Sequence, residues 1–364
     1  MMNRLFVLES PSFHPRGAGD EREQIIFTWI NSTMPKIPVL VTGGAGYIGS
    51  HVVLALRELD YPVVILDDLS TGHQEAVADG CEFVLGNAGD QQLLAQIFQQ
   101  HKIQSVIHFA GSIIVEESVQ EPIKYYENNT LVSLRLIEAC VKGGVKNFIF
   151  SSTAAVYGDG AESPVSETAP LSPLNPYGHS KAMTEQILRD TAAVSSLNYI
   201  ILRYFNVAGA DPLRRTGQRS KQATHLLKIA CETALGKRDQ ITIFGSDYPT
   251  PDGTCIRDFI HVSDLASAHA RALEYLQDCD ESLTLNCGYG EGYSVRQVLD
   301  ALQEVIAAQI RVEEGDRRPG DAAELVANNA RLSSILAWEP QYNDLKTIIY
   351  DALEWERIYH GGKA

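Results

Sequence analysis

Gly43-Gly44-Ala45-Gly46-Tyr47-Ile48-Gly49 joins an apolar run to an amphipathic one. Glycines at the G-x-x-G-x-x-G spacing let a backbone pass close to a pyrophosphate, while the N-terminus of the following helix stabilises its negative charge. The turn therefore predicts a first buried strand over residues 37–41 and a first helix over 46–59. It makes Gly43, Gly46, Tyr47, Ile48 and Gly49 candidate contacts to a dinucleotide.

The chain beyond this turn keeps to the same pattern. Runs rich in Val, Ile and Phe at 62–67, 82–85, 103–109, 145–151 and 198–205 alternate with helical stretches, as a parallel sheet covered on both faces requires. Asp67 closes the second of these strands, where a carboxylate accepts both hydroxyls of an adenosine ribose and repels a 2′-phosphate. NAD is thus favoured over NADP. His108-Phe109-Ala110-Gly111 ends a later strand, so Phe109 and Ala110 are expected against the cofactor. Asn128 and Asn129 follow in a segment that becomes helical through Cys140. Either can cap that helix or orient the sheet edge; Asn128 is taken as the cofactor contact.

Composition limits the partners. At 364 residues the chain exceeds the size at which one core stops growing, and two domains are expected. A net charge of −16 argues against nucleic acid or an anionic membrane, and no apolar run reaches the roughly 18 residues of a spanning helix. Six scattered cysteines without a CxxC pair fit a reducing cytoplasm, and the ten histidines show no metal-ligand spacing. Pro11, Pro15, Gly17 and Gly19 break up residues 1–33, which read as a dispensable arm or as an extension covering an interface.

The chemistry is expected from three residues. Ser151, Ser152 and Thr153 leave the carboxyl end of a buried strand, where open α/β sheets place ligands. Tyr177 and Lys181 stand one helical turn apart, with Cβ atoms roughly 5–6 Å from each other. A tyrosine with an ordinary pKa of about 10 is a poor base near neutrality. Cationic charge from Lys181 and an oxidised nicotinamide is expected to favour tyrosinate. Thr153 supplies a hydroxyl that bridges substrate and phenolate, and the set implies hydride removal from a carbon whose hydroxyl yields its proton to Tyr177. In the second half, Arg257 and the pair Arg317-Arg318 are arginines able to grip a diphosphate bidentately. His261 and Asp264 precede a helical run and are expected to cap and pack rather than react.

GGAGYIGS, DDLSTG, SSTAAVYG, YGHSK, RYFNVAGA and DYPTPDGTCIRDFIHVSDLA together resemble the UDP-glucose 4-epimerase family of extended short-chain dehydrogenases/reductases, over residues 36–360. The resemblance implies an α/β fold, a Rossmann-type parallel sheet with a smaller C-terminal α/β substrate domain. It implies an N-terminal extension at 1–35, an NAD-binding domain at 36–205 and a mainly UDP-sugar-binding domain at 206–364, segments of which can return to the first. NAD would be tightly bound and regenerated each turnover, taking hydride from C4 of the hexose and returning it to the opposite face. UDP-glucose and UDP-galactose would be the substrates. Thr153 would contact the 4-hydroxyl, Tyr177 act as acid/base and Lys181 as its electrostatic partner and ribose contact. Arg257 and Arg318 would face the diphosphate, Asp321 the uridine ribose and Asn206 the sugar nucleotide. A homodimer through helices near 121–142 and 177–194 is implied as well.

The chain departs from that pattern at several points. Asn87 stands where many relatives carry a carboxylate near adenine and is kept as a cofactor contact; Ile113 replaces a cofactor-contacting lysine, and His225-Leu226-Leu227-Lys228 replaces His-Leu-Ile-Pro. Leu325 occupies the position whose size governs access for N-acetylated sugars, which leaves UDP-N-acetylhexosamines and UDP-pentoses as alternatives. Ala154 and Ala155 stand where a sugar-nucleotide dehydratase carries Asp-Glu, and they argue against water elimination. A non-catalytic NAD-responsive protein would have had no need to retain Thr153, Tyr177 and Lys181.

Overall fold

Pro38 has no N–H to give a strand ladder, so the first strand, β1, starts at Val39 rather than Ile37 and runs Val39–Thr42. A computed structural model describes residues 36–159, 162–220, 224–318 and 320–361. The arm expected over residues 1–33 lies outside them. Strands β2 (Val63–Asp67), β3 (Glu82–Leu85), β4 (Ser105–His108), β5 (Asn147–Thr153) and β6 (Asn198–Tyr204) follow. After β7 (Asn206–Ala208), β8 (Ile241–Phe244) and β9 (Ile256–His261) come β10 (Leu283–Cys287), β11 (Gly292–Ser294), β12 (Val312–Gly315) and β13 (Glu324–Leu325).

The larger sheet has the order β10-β6-β5-β4-β1-β2-β3, parallel throughout. Read from the other edge this is 3-2-1-4-5-6 with β10 added, the doubly wound order whose crevice opens between β1 and β4. Helix α1 (Tyr47–Glu58) packs with α8 (Val262–Asp278) on one face. Their core joins Val52, Leu56, Leu265 and Leu273 to Val41, Ile65 and Leu285. The other face carries α2 (Gln91–His101), the short α3 (Val115–Gln120) and α4 (Pro122–Tyr125), α5 (Val132–Gly143) and α6 (Pro176–Ala192). Leu94, Phe98, Leu136 and Leu188 close that side over Phe148 and Phe150.

The chain leaves this sheet after Tyr204 and returns to it for α8 and β10. In the smaller lobe β9 pairs in parallel with β7 and β13 and antiparallel with β11, while β8 pairs with β12. Helices α7 (Leu226–Ala234), α9 (Val295–Ile306) and α11 (Leu345–Gly361) share its core, and α10 (Ala330–Leu336) lies against β10. Ser294 and Gln297 form a reciprocal capping box at the start of α9.

β5 runs two residues further than the apolar pattern indicates, because Ser151, Ser152 and Thr153 remain in register with Leu202, Arg203 and Tyr204. Thr153 is thus held by the sheet itself. Beneath it, Arg203 and Glu185 form a buried ion pair, and Glu185 also accepts from Ser152 Oγ at 2.6 Å and from Arg189 at 2.8 Å. This network ties α6 to β5 and β6.

Candidate active site

At the end of β1 the backbone turns through Gly43, whose φ of +72° and approach to Ala110 exclude a side chain: a Cβ there would lie 2.6 Å from the Ala110 nitrogen. Gly49 is equally constrained, since its Cβ would meet the Gly43 carbonyl at 2.2 Å. Glycine at these positions brings the turn, the β4 exit and the start of α1 into contact. Gly46 caps α1 without a side chain, which leaves the helix N-terminus open for a phosphate. Tyr47 is pinned by its hydroxyl, which donates to the Gly209 carbonyl at 2.7 Å.

Asp67, at the end of β2, accepts from the Ala45 N–H at 3.0 Å and the Leu69 N–H at 2.9 Å. Burial pushes its carboxyl up, and those two backbone donors pull it back. A carboxylate fixed by two amides still has acceptor capacity for a pair of ribose hydroxyls. The glycine-lined turn and this acceptor fit a dinucleotide.

These groups open onto a cavity of about 930 Å³. Gly43, Gly46, Tyr47, Ile48, Gly49 and Asp67 line one end, with Phe109 and Ala110 beside them; Thr153, Tyr177 and Lys181 lie further in. Helix α6 is started by Asn175, whose Oδ1 accepts from the Gly178 N–H at 2.9 Å, and by Pro176 in the first turn. Tyr177 and Lys181 are both buried. The Thr153 hydroxyl accepts from the Ala155 N–H at 3.1 Å and faces the same cavity as the Tyr177 phenol. Lys181 Nζ donates to the Ser151 carbonyl at 2.9 Å and stands 4.9 Å from the centre of the Phe150 ring.

The electrostatics differ from the sequence expectation. Burial pushes the Tyr177 phenol up, opposed by the polar influence of the Thr153 hydroxyl. Burial also lowers the Lys181 ammonium to about 8, with Glu185 opposing. In a dry site each charged form lacks solvation, and the protein alone does not lower the phenol. Additional positive charge beside the phenol would be needed, and an oxidised nicotinamide carries it.

Across the cavity stand Asn206 on β7, Arg257 on β9, Leu325 on β13, and Arg318 and Asp321 from the loop before β13. The Asp321 carboxylate lies 3.0 Å from Arg318 and 3.7 Å from Arg257, so one acid orients both guanidinium groups. Arg317 points elsewhere and pairs with Asp247. Ala154 and Ala155 also line the cavity and offer no acid group.

Two expected contacts fall outside the cavity lining. Asn87 is exposed and accepts from the Gly89 N–H at 2.8 Å, which uses its carbonyl in a local turn. Asn128 is exposed as well, its amide 3.1 Å from Ser112 Oγ. The buried neighbour Asn129 is the structural one: it accepts from the Ser112 N–H at 2.7 Å and donates to the Ser112 carbonyl and to Ser180 Oγ, both at 3.0 Å. Residues Tyr126–Leu131 form a π-helical turn, whose extra residue alters the face on which each asparagine lies. Tyr204 and Ser151, bonded to each other, line the cavity and had no assigned role. Their only sequence signal is a hydroxyl at each strand end.

His261 and Asp264 serve as caps and ties. His261 Nδ1 accepts from the Ser263 N–H at 3.0 Å, while Asp264 accepts from the Gln341 and Tyr342 N–H groups, each at 2.8 Å.

A sequence model of the NAD dependent epimerase/dehydratase family matches residues 39–288. A UDP-glucose 4-epimerase of Azospirillum brasilense is 54% identical over 88% of this chain and 92% of its own length. The crystal structure of UDP-glucose 4-epimerase from Brucella ovis in complex with NAD superposes with a TM-score of 0.85 at 42% identity, over 87% of this chain and 98% of that one. The UDP-Glc/GlcNAc 4-epimerase of Campylobacter jejuni gives 0.78 at 46% identity, over 88% and 99%.

Proposed function

The chain belongs to the NAD dependent epimerase/dehydratase family, and from that premise we propose that its cavity interconverts UDP-glucose and UDP-galactose, with Tyr177 as acid/base. The single observation that carries the residue assignment is the convergence of Thr153, Tyr177 and Lys181 in one cavity that reaches from the glycine turn to Arg257 and Arg318. When bound, held by the glycine turn and Asp67, NAD would supply a hydride acceptor and then donor for C4 of the hexose. The glycine turn would receive its pyrophosphate and Asp67 its adenosine ribose.

The chain's own residues hold the sugar and move its proton. Arg257 and Arg318 grip the diphosphate, with Asp321 at the uridine ribose and Asn206 at the sugar nucleotide. A grip on the diphosphate alone leaves the 4-keto sugar free to turn, which inversion at C4 requires. Thr153 bridges the 4-hydroxyl and the phenol. Tyr177 accepts the hydroxyl proton as C4 is oxidised and donates it back as C4 is reduced. Lys181 stabilises the phenolate form by its charge. Residues 36–205 thus mainly serve the cofactor and 206–364 the UDP-sugar.

Leu325 on the cavity wall is the feature that favours a wider substrate range. It leaves more room than an aromatic side chain would, so UDP-N-acetylhexosamines are the second reading. The chain forms a homodimer through α4, α5 and α6: Ile123 is 71% exposed, and Val119, Leu134 and Met183 continue an apolar surface on this side. All six cysteines are unpaired, in keeping with a cytoplasmic site of action.

Purified protein given UDP-galactose should form UDP-glucose without net accumulation of NADH. Failure to interconvert the two in the presence of NAD, alongside elimination of water or turnover of a pentose only, would sink this reading.

A further inference from the structure

Lys181 is deeply buried, and among the described residues its ammonium has one hydrogen-bond acceptor, the Ser151 carbonyl. Ser151 is in turn bonded through its side chain to the Tyr204 hydroxyl, on the neighbouring strand. We propose that the Tyr204 hydroxyl, by holding Ser151, fixes the carbonyl that receives the Lys181 ammonium and so keeps Lys181 where it stabilises the Tyr177 phenolate. The inference rests on the acid/base reading above and adds Tyr204 and Ser151 as positioning residues.

The geometry supports this in three ways. Tyr204 is the register partner of Thr153, so its ring starts beside the catalytic strand end. Its flank is apolar enough for a phenylalanine: the ring packs 6.2 Å from His269 and belongs to the core with Leu202 and Leu285. A hydroxyl buried there needs a partner, and Ser151 is that partner. Ser151 also lines the cavity with Tyr204, yet spends its hydroxyl on the tyrosine.

Among the described residues, no other group around Lys181 substitutes for this hold. Glu185, on its own helix, is engaged by Arg203 of β6, Arg189 of α6 and Ser152 of β5. His108 of β4 is bonded to Thr42 and Ser133, and burial keeps it neutral. Phe150 offers only its ring face. On the far side Tyr204 meets Cys287 of β10 and His269 of α8, both buried and uncharged near neutral pH.

The test is the kcat–pH profile of full-length Tyr204→Phe, Ser151→Ala and Ser151→Thr with UDP-galactose. Tyr204→Phe should lower kcat about threefold near pH 7 with KM held within about twofold. Its acid limb should move to higher pH by about half a unit, because a displaced ammonium makes the phenolate harder to form. Ser151→Ala should do the same, the double variant should lose no more than either single, and Ser151→Thr, which keeps the hydroxyl, should retain the wild-type profile. A wild-type profile in Tyr204→Phe, a loss confined to KM or thermal stability, or additive effects in the double variant would overturn the proposal. If Tyr204→Phe does not fold, Ser151→Ala decides. Tyr177→Phe, run in parallel, separates the two layers: activity there removes the acid/base reading, whereas an inactive Tyr177→Phe beside an unaltered Tyr204→Phe removes only the positioning role.

Discussion

Removing one oxygen from Tyr177 leaves the ring and its packing in place while deleting the group that carries the proton. Tyr177→Phe should therefore lower kcat by about 10²- to 10⁴-fold and leave UDP-sugar affinity, measured by calorimetry, nearly unchanged. A variant turning over at the wild-type rate would reject the assignment. At this scale the sequence was most legible where residues act locally. The glycine turn, Asp67 and the Tyr177–Lys181 pair each depend on neighbours within one strand–helix step, and all line the cavity. The asparagines were not legible, because a π-helical turn decides which of Asn128 and Asn129 faces inward and nothing in their spacing announces it. Tyr204 was hidden for another reason: at the end of an apolar strand it reads as core, and its role depends on a partner on β5.

Helix α6 is the element on which the chemistry hangs, and its seat is more polar than its surroundings suggest. Glu185 is fully buried on its side chain and anchored by Arg203, Arg189 and Ser152. Burial acts to raise its carboxyl, but the arginine and serine bonds outweigh it and hold the carboxyl below its ordinary value. Glu185→Gln would leave Arg203 buried beside a neutral amide. It should cost on the order of 3 kcal/mol in denaturant unfolding at pH 7, more than an exposed ion pair is worth. A loss below about 1 kcal/mol would show that the network is dispensable. The alternation of strands and helices was readable because a parallel sheet needs apolar runs between amphipathic ones. Element ends were less so. Ladder hydrogen bonds extend β5 by the polar residues Ser152 and Thr153, and Pro38 delays β1, both effects of pairing rather than hydropathy.

For the molecule as a whole, the buried histidines govern acid stability. Burial lowers His51 and His269 to about 4 and His108 to about 3. Each folded value lies below the unfolded one, so the unfolded chain binds more protons between these values and pH 6.5, and stability falls as pH drops through that window. Asp258, raised to about 6 by burial, opposes this by gaining its proton earlier in the fold. Near pH 5 these four groups give a net uptake of about 2 protons on unfolding, or about 2–3 kcal/mol per pH unit. Denaturant titrations at pH 6.5 and 5 should show that loss; equal stability would contradict it. The proposed homodimer belongs to the same scale: light scattering should give a dimer for the wild type and a monomer for Ile123→Asp, whereas a monomeric wild type or an unchanged dimer mass in the variant would contradict that interface. Its apolar surface could not be told from core burial by periodicity alone, since both bury the same residue types. On the proposed route, hydride leaves C4 and comes back to the same carbon. UDP-galactose deuterated at C4, converted in ordinary water, should yield UDP-glucose with the deuterium retained at C4 and inverted configuration there. Loss of the label to solvent would contradict that route.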